Sequence, residues 1–195
     1  MPWMSNEEVN YIENVVLGDI AGDTTLRGKD VLEWGAGTST KRFSRLANSY
    51  RSIEHDRTYY ENVISMEPDA FVYHIPPTIP FQKKQNCCFV KAANWNELKS
   101  SQAYNTFKDY INYPVHFNMR FDVILVDGRA RPECCAVAHD FLLRDECILL
   151  VHDYTEPGRD YYGVIEEKFK LVEIVDTMGV FTAIAGPAGF KVQQR

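Results

Sequence analysis

At 195 residues, 45% hydrophobic and 25% charged, the chain has the length of one domain with a sizeable core. A net charge of -6 and no lysine/arginine block longer than Lys83-Lys84 exclude a broad phosphate-binding face, so nucleic acid is not an expected partner. No apolar run approaches the roughly 20 residues of a membrane span, and five cysteines without CxxC or zinc spacing read as reduced thiols of an intracellular, cytoplasmic protein.

The first residues, Met1 to Glu8, lack a basic region followed by an apolar one, so no secretory signal is read there. Ser5 and Glu8 have the form of a capping box, and Val9, Ile12, Val15 and Val16 recur at helical spacing. This predicts a helix over 5–18 that ends near Gly18 and covers core. After a loop over 22–30, the run Val31-Leu32-Glu33-Trp34-Gly35-Ala36-Gly37-Thr38-Ser39-Thr40 reads as a strand, a tight turn and a helix start, with an amphipathic run from Lys41 to Asn48. Gly35 and Gly37 allow positive φ or close approach to a ligand, and Thr38, Ser39 or Thr40 can cap the helix. A second strand, Tyr50 to Ile53, ends at Glu54, about twenty residues past the turn, where an acid can accept both ribose hydroxyls.

The turn discriminates between ligands. A dinucleotide fingerprint needs a third small residue for close packing around a pyrophosphate, and that position is Thr40. Glu33, at the strand end, suits a cationic amino group better than a phosphate. Together with Glu54, these features fit S-adenosylmethionine, a nucleoside with an amino-acid tail and no phosphate.

Further along, Arg57 to Met66 reads as a helix closed by Pro68, and Phe71 to Ile75 as a third strand ended by Pro76-Pro77. The stretch 78–120 is longer than the usual connection and reads as an insertion with a helix from Ser101 to Ile111 and a short strand from Cys87 to Val90. Its aromatics, Phe81, Phe89, Trp95, Tyr104, Phe107, Tyr110, Tyr113 and Phe117, either wall a substrate pocket or form local core. Phe121 to Val126 is a continuous apolar run, as expected of a central parallel strand. Pro132 to Leu143 reads as helix, Glu146 to Val151 as strand, Asp160 to Phe169 as helix. Leu171 to Val175 and Val180 to Ile184 close the chain as strands around a turn at Met178-Gly179.

Val31 to Thr40 resembles the first motif of class I S-adenosylmethionine-dependent methyltransferases, and Ser52-Ile53-Glu54-His55-Asp56 resembles their second. Phe121 to Arg129 and Ile148 to Tyr154 resemble the fourth and fifth strands of a small methyltransferase-like group with "VDGR" and "VHDY" signatures. The resemblance spans roughly Val31 to Ala185. It implies a single-domain, Rossmann-like, doubly wound α/β sheet of about seven strands, mostly parallel with an antiparallel strand near the C-terminus. It also implies S-adenosyl-L-methionine as cofactor and a small-molecule methyl acceptor. The alternatives are a nicotinamide-dependent Rossmann oxidoreductase, disfavoured by Thr40, and a non-catalytic S-adenosylmethionine-binding scaffold.

Ligands of open parallel sheets lie beyond the carboxyl ends of the strands. The expected cofactor contacts are therefore Glu33, Trp34, Gly35, Ala36, Gly37, Thr38, Ser39, Glu54, His55 and Asp127, with Trp34 serving either as adenosine wall or as core. Ala92, Ala93 or Asn94 could border the adenine. Asp127, His152 and Asp153 are the candidates for catalysis, His152 because imidazole titrates near neutrality, unless it only bonds the chain. Asp127 and Asp153 also resemble metal-binding acids of divalent-cation-dependent O-methyltransferases, but Tyr154 follows where that family often has Asn, so no metal is expected. Arg129, Arg131 and Tyr154 are expected at the substrate, the alternative being an arginine paired with Asp127 or Asp153. Cys134 and Cys135 read as small helix residues, with thiolate character as the alternative.

Overall fold

The computed structural model describes residues 4–18, 28–80, 91–157 and 160–184. Seven strands, β1 (Asp30–Trp34), β2 (Ser49–Glu54), β3 (Phe71–His74), β4 (Phe121–Val126), β5 (Leu143–Val151), β6 (Phe169–Val175) and β7 (Met178–Ala183), form one sheet of order β3-β2-β1-β4-β5-β7-β6. The pairs among β1 to β5 are parallel, and β7 runs antiparallel to both β5 and β6. The chain moves outward from β1 to β3, then returns to place β4 on the other flank of β1. That reversal opens a crevice beyond the carboxyl ends of β1 and β4.

Side-chain alternation along the central strands supplies two cores. One face carries Leu32, Trp34, Ile124, Val126 and Leu149 against Phe107, Tyr110, Cys134 and Val137. The other carries Val31, Val123, Leu125 and Leu150 against Val9, Ile12 and Val16 of the N-terminal segment and Phe43. Full burial of apolar side chains of this size contributes about 1.5–3 kcal/mol each, and β1 is buried along its whole length.

Helix α1 (Asn6–Tyr11) starts in the expected capping box: Glu8 N donates to Ser5 Oγ at 3.2 Å, and Ser5 N donates to Glu8 Oε2 at 2.8 Å. It continues as a π turn over Ile12–Val16 and stops at Gly18, φ 72°. Helix α2 (Thr38–Phe43) begins earlier and ends sooner than the run Lys41 to Asn48 suggests. Thr40 Oγ1 accepts the Gly37 amide, and Asn48 is drawn to Lys29 O and Asp30 Oδ1, which turns the chain into β2. Helix α3 spans Arg57–Met66 as expected, capped by Asp56.

The expected helix from Ser101 to Ile111 is divided at Phe107 into α4 (Gln102–Thr106) and α5 (Lys108–Asn112). Phe107 is buried, and the Asp109 amide is diverted to Thr78 Oγ1. Trp95, Phe107 and Tyr110 are core side chains, with Tyr104, Tyr113 and Phe117 packed against them. The expected strand Cys87 to Val90, with Phe81 and Phe89, lies outside the described residues, as does most of the loop over 22–30.

Helix α6 (Arg131–Val137) runs into a π turn that ends at Leu142. β5 begins at Leu143, ahead of the expected Glu146, because a bulge with Glu146 at φ 64° lets it pair with Phe121 as well as Val123. Asp160–Glu167 is a 3₁₀ helix, and Phe169 already belongs to β6. The final turn is at Asp176-Thr177, with Asp176 at φ 53°, a conformation aspartate tolerates. Met178 and Gly179 are paired strand residues, not the turn expected there. Among the described residues, no helix is long and apolar enough to cross a membrane.

Candidate functional site

Sheet register assembles the site. Trp34 lies beside Ile53 on one flank and Val126 on the other, so residues 35, 54 and 127 leave the sheet side by side. Gly35 N donates to Ile53 O, and Asp127 N to Trp34 O, both at 2.8 Å. Gly35 has φ 101°, and a Cβ there would lie 2.6 Å from Gly128 N and 2.7 Å from Gly128 Cα. A Cβ on Gly128 would in turn meet Tyr110 Oη at 2.0 Å. The β1 and β4 turns thus touch backbone to backbone, and only glycine fits at either point.

Above this contact opens a cleft of about 260 Å³. Of the residues expected at the cofactor, Gly35, Ala36, Gly37, Thr38, Ser39, Glu54, His55 and Asp127 line it, and so do Arg129, Arg131, His152 and Asp153. Met4, Tyr59 and Gly128 complete the wall. Glu54 Oε1 accepts the amides of His55 at 2.8 Å and Asp56 at 2.7 Å, which fixes the carboxylate at the strand end. His55 stands with its ring edge-on to Phe107 and Tyr110, 5.6 Å from each.

Glu33, Trp34 and Tyr154 lie off the cleft wall. Glu33 is fully buried beneath the bend, its carboxylate taking Ser39 Oγ, Thr40 Oγ1 and Ser52 Oγ at 2.5 Å each. Burial pushes its pKa up to about 7 against the pull of those three hydroxyls. The expected partner of a cationic amino group is therefore a tie between β1, β2 and α2. Trp34 is core, its Nε1 donating to Tyr110 O at 3.2 Å. Tyr154 turns away after Asp153, φ 53°, stacks edge-on to Phe181 and donates its hydroxyl to Glu166.

Five charged groups meet at the far wall. His152 Nδ1 lies 2.7 Å from Asp127 Oδ1 and 3.3 Å from Asp153 Oδ1, and its Nε2 lies 3.4 Å from Glu8 Oε2. Arg131, 6% exposed, places Nη1 2.8 Å from Asp153 Oδ2 and Nη2 3.3 Å from Asp127 Oδ1. Its Nε donates to Gly128 O, and Nη1 and Nη2 donate to His152 O and Asp127 O. Arg131 is thus a buried clamp on the β4 and β5 turns, the alternative to a substrate contact.

Burial alone would lower the His152 pKa, but Asp127, Glu8 and Asp153 outweigh it and push it up to about 10. The acids around it thus favour the protonated ring, which donates, over the neutral ring a proton acceptor needs. Asp127, His152 and Asp153 bring ligand atoms within 4.8 Å of one another, a spacing that could hold a metal ion. The guanidinium and imidazolium already lie against both carboxylates, so the arrangement does not fit a divalent cation. Cys134 and Cys135 are buried free thiols whose pKa values are raised by burial, which removes the thiolate alternative.

Sequence reasoning missed two working residues. Gly128 stands inside the quoted Val-Asp-Gly-Arg stretch, where a glycine directly after a strand-end acid was the available signal. Glu8 was read only as a helix cap, and nothing in the sequence links it to a histidine 144 positions later.

No protein-family model matches the chain, and no curated protein does. Among solved structures, it is similar to a methyltransferase-like protein from Silicibacter pomeroyi, with 22% identity over 83% of this chain and 81% of that one and a TM-score of 0.56. It is also similar to a T. thermophilus 16S rRNA methyltransferase solved with AdoMet and guanosine, with 15% identity over 93% of this chain and 43% of that one and a TM-score of 0.53. The strand order, the cleft at the switch point and these likenesses give the chain the Rossmann-like fold of class I S-adenosylmethionine-dependent methyltransferases.

Proposed function

We propose that the chain is an S-adenosylmethionine-dependent methyltransferase acting on a small-molecule acceptor. The observation that carries this reading is the pairing, across one cleft, of an acid oriented by two backbone amides with a bend where only glycine fits. Glu54 suits the ribose hydroxyls, and the Gly35 to Ser39 bend, with Asp127 beside it, suits the amino-acid end. His55 and Tyr59 border the cleft on the Glu54 side in sequence and supply ring surface there. Bound S-adenosylmethionine supplies an activated methyl group on a sulfonium.

The protein's own contribution is positioning, which supplies about 7–11 kcal/mol of barrier lowering in favourable cases. Arg131 and His152 hold Asp127 and Asp153 still, so the wall facing the ligand is fixed before it arrives. A carboxylate of this wall, Asp127 or Asp153, is the proposed destination of a proton released by an acceptor hydroxyl or amine, since the surrounding acids favour the protonated form of His152. Net charge -6 and the modest cleft favour a small acceptor over nucleic acid. Arg129, on the cleft wall beyond Gly128, is the residue proposed to meet an anionic group on that acceptor.

Isothermal titration tests the reading. S-adenosylmethionine and its demethylated product are expected to bind one site each; absence of heat with both overturns it.

A further inference from the structure

We propose that Glu8 is a positioning residue of the cleft: from the N-terminal helix it fixes the His152 ring so that both ring nitrogens donate, Nε2 toward Glu8 and Nδ1 toward Asp127. A neutral imidazole has one N–H and one bare nitrogen, so it can donate to only one of two carboxylates. Here a carboxylate oxygen faces each nitrogen, Glu8 at 3.4 Å and Asp127 at 2.7 Å. Only the doubly protonated ring serves both.

A capping role does not account for what Glu8 does. The reciprocal bond to the N-cap amide is made as well by glutamine as by glutamate and needs no burial. Glu8 is 1% exposed, and both its oxygens are engaged beyond the cap. Oε1 accepts Thr177 N at 3.3 Å and Thr177 Oγ1 at 2.9 Å, from the turn between β6 and β7. Oε2 takes the Ser5 amide at 2.8 Å on one side and meets the imidazole on the other. The carboxylate therefore joins α1, the final hairpin and the end of β5, while Met4, just before the helix, lines the cleft. Helix α1 is tied to the residues of the cleft wall through this side chain.

The groups facing the imidazole are Glu8 from α1, Asp127 from the end of β4, Asp153 from the turn after β5, and Arg131 of α6, which bonds the His152 carbonyl. Removing the charge of Glu8 leaves two acids and the guanidinium, which repels a protonated ring. Only the last link, from Asp127 to a bound cofactor, rests on the methyltransferase reading.

Glu8→Gln removes the anion at nearly constant shape, its single carbonyl oxygen keeping the cap on Ser5 N while its NH2 replaces the acceptor facing Thr177. In the full chain with ¹⁵N-labelled histidine, the wild-type His152 ring is expected to carry protons on both nitrogens at neutral pH. In Glu8→Gln, with helix content unchanged by circular dichroism, its titration midpoint is expected to fall by about one pH unit or more. Binding of the demethylated cofactor is expected to weaken several-fold. A midpoint unmoved in the folded variant overturns the proposal. So does a wild-type ring with one bare nitrogen at neutral pH, an observation that needs no variant. If the titration behaves as expected but the wild-type chain binds no cofactor, the methyltransferase reading fails and the Glu8 assignment stands.

Discussion

Replacing Gly35 with alanine tests the backbone contact on which the cleft is built. At φ 101° an L side chain is strained, which costs about 1–3 kcal/mol. The new Cβ also lies 2.6–2.8 Å from three main-chain atoms, Gly128 N, Gly128 Cα and Asp127 C. No side chain can rotate to relieve that overlap, so the β1 and β4 turns must separate, at a further cost of about 1–3 kcal/mol. The sum, about 2–6 kcal/mol, is a large part of a typical net stability of about 5–15 kcal/mol. It corresponds to a melting temperature roughly 4–24 °C lower for a chain of this size. Gly37→Ala is the control: its φ is -165°, and the nearest atom to an added Cβ is Ser39 Oγ at 3.8 Å, so its stability should stay within about 0.5 kcal/mol of wild type. Urea and thermal unfolding of both variants measure the difference. Equal stabilities for the two would refute the argument that the turns are in contact and that only one of these glycines is conformationally required.

Glu54→Gln is expected to weaken binding of the demethylated cofactor about 10–100-fold, the loss of about 1.5–3 kcal/mol typical of hydrogen bonds to a charged group; an unchanged titration curve would remove Glu54 from the ribose. The His152 pKa is raised from 6.5 to about 10, so its contribution to stability is fully present below pH 6.5 and is lost as pH rises through about 10. Urea midpoints of wild type measured across that window should fall more steeply than those of His152→Gln, and parallel curves would contradict the ion-pair cluster. Arg131→Ala leaves Asp127 and Asp153 without their guanidinium and is expected to cost about 3–5 kcal/mol. Added Mn²⁺ should restore part of that loss by neutralising the carboxylates of Asp127 and Asp153, whose oxygens lie within 4.8 Å of each other. A wild-type melting temperature that climbs with Mn²⁺ would show that the guanidinium does not take the cation's place.

The elements legible in the sequence are those whose signals are local. Arg57–Met66 has an Asp56 cap at one end and Pro68 beyond the other, and Phe121–Val126 is an unbroken apolar run, so both match the observed bounds. Glu54 and the glycine bend were readable because strand ends converge at a switch point whatever the details of packing. Glu33 was not, because its fate depends on Ser52, set opposite it by the register of β1 on β2, and on hydroxyls of α2 that only the turn geometry brings within reach. Trp34 follows from the same register: neighbouring strand residues point to opposite faces, and both faces here are covered by core. Thr40, expected as a possible cap and as the position where a dinucleotide fingerprint needs a small residue, holds Glu33 and the Gly37 amide together.

With Glu33 withdrawn beneath the bend, the carboxylate on the cleft wall beside the glycine contact is Asp127, delivered by β4 and not by β1. Asp127 belongs to a cluster in which three acids, Glu8, Asp127 and Asp153, face two cations, Arg131 and protonated His152. That cluster keeps one excess negative charge and Glu54 adds another carboxylate on the same cleft, while Arg129 sets a further cation against them. On the proposed reading the ammonium of the cofactor meets Asp127 beside the bend, and Arg129 beyond Gly128 meets an anionic group. Thr40 at the bend therefore remains what speaks against a dinucleotide, and what the folded chain adds is that the acid beside that bend comes from β4.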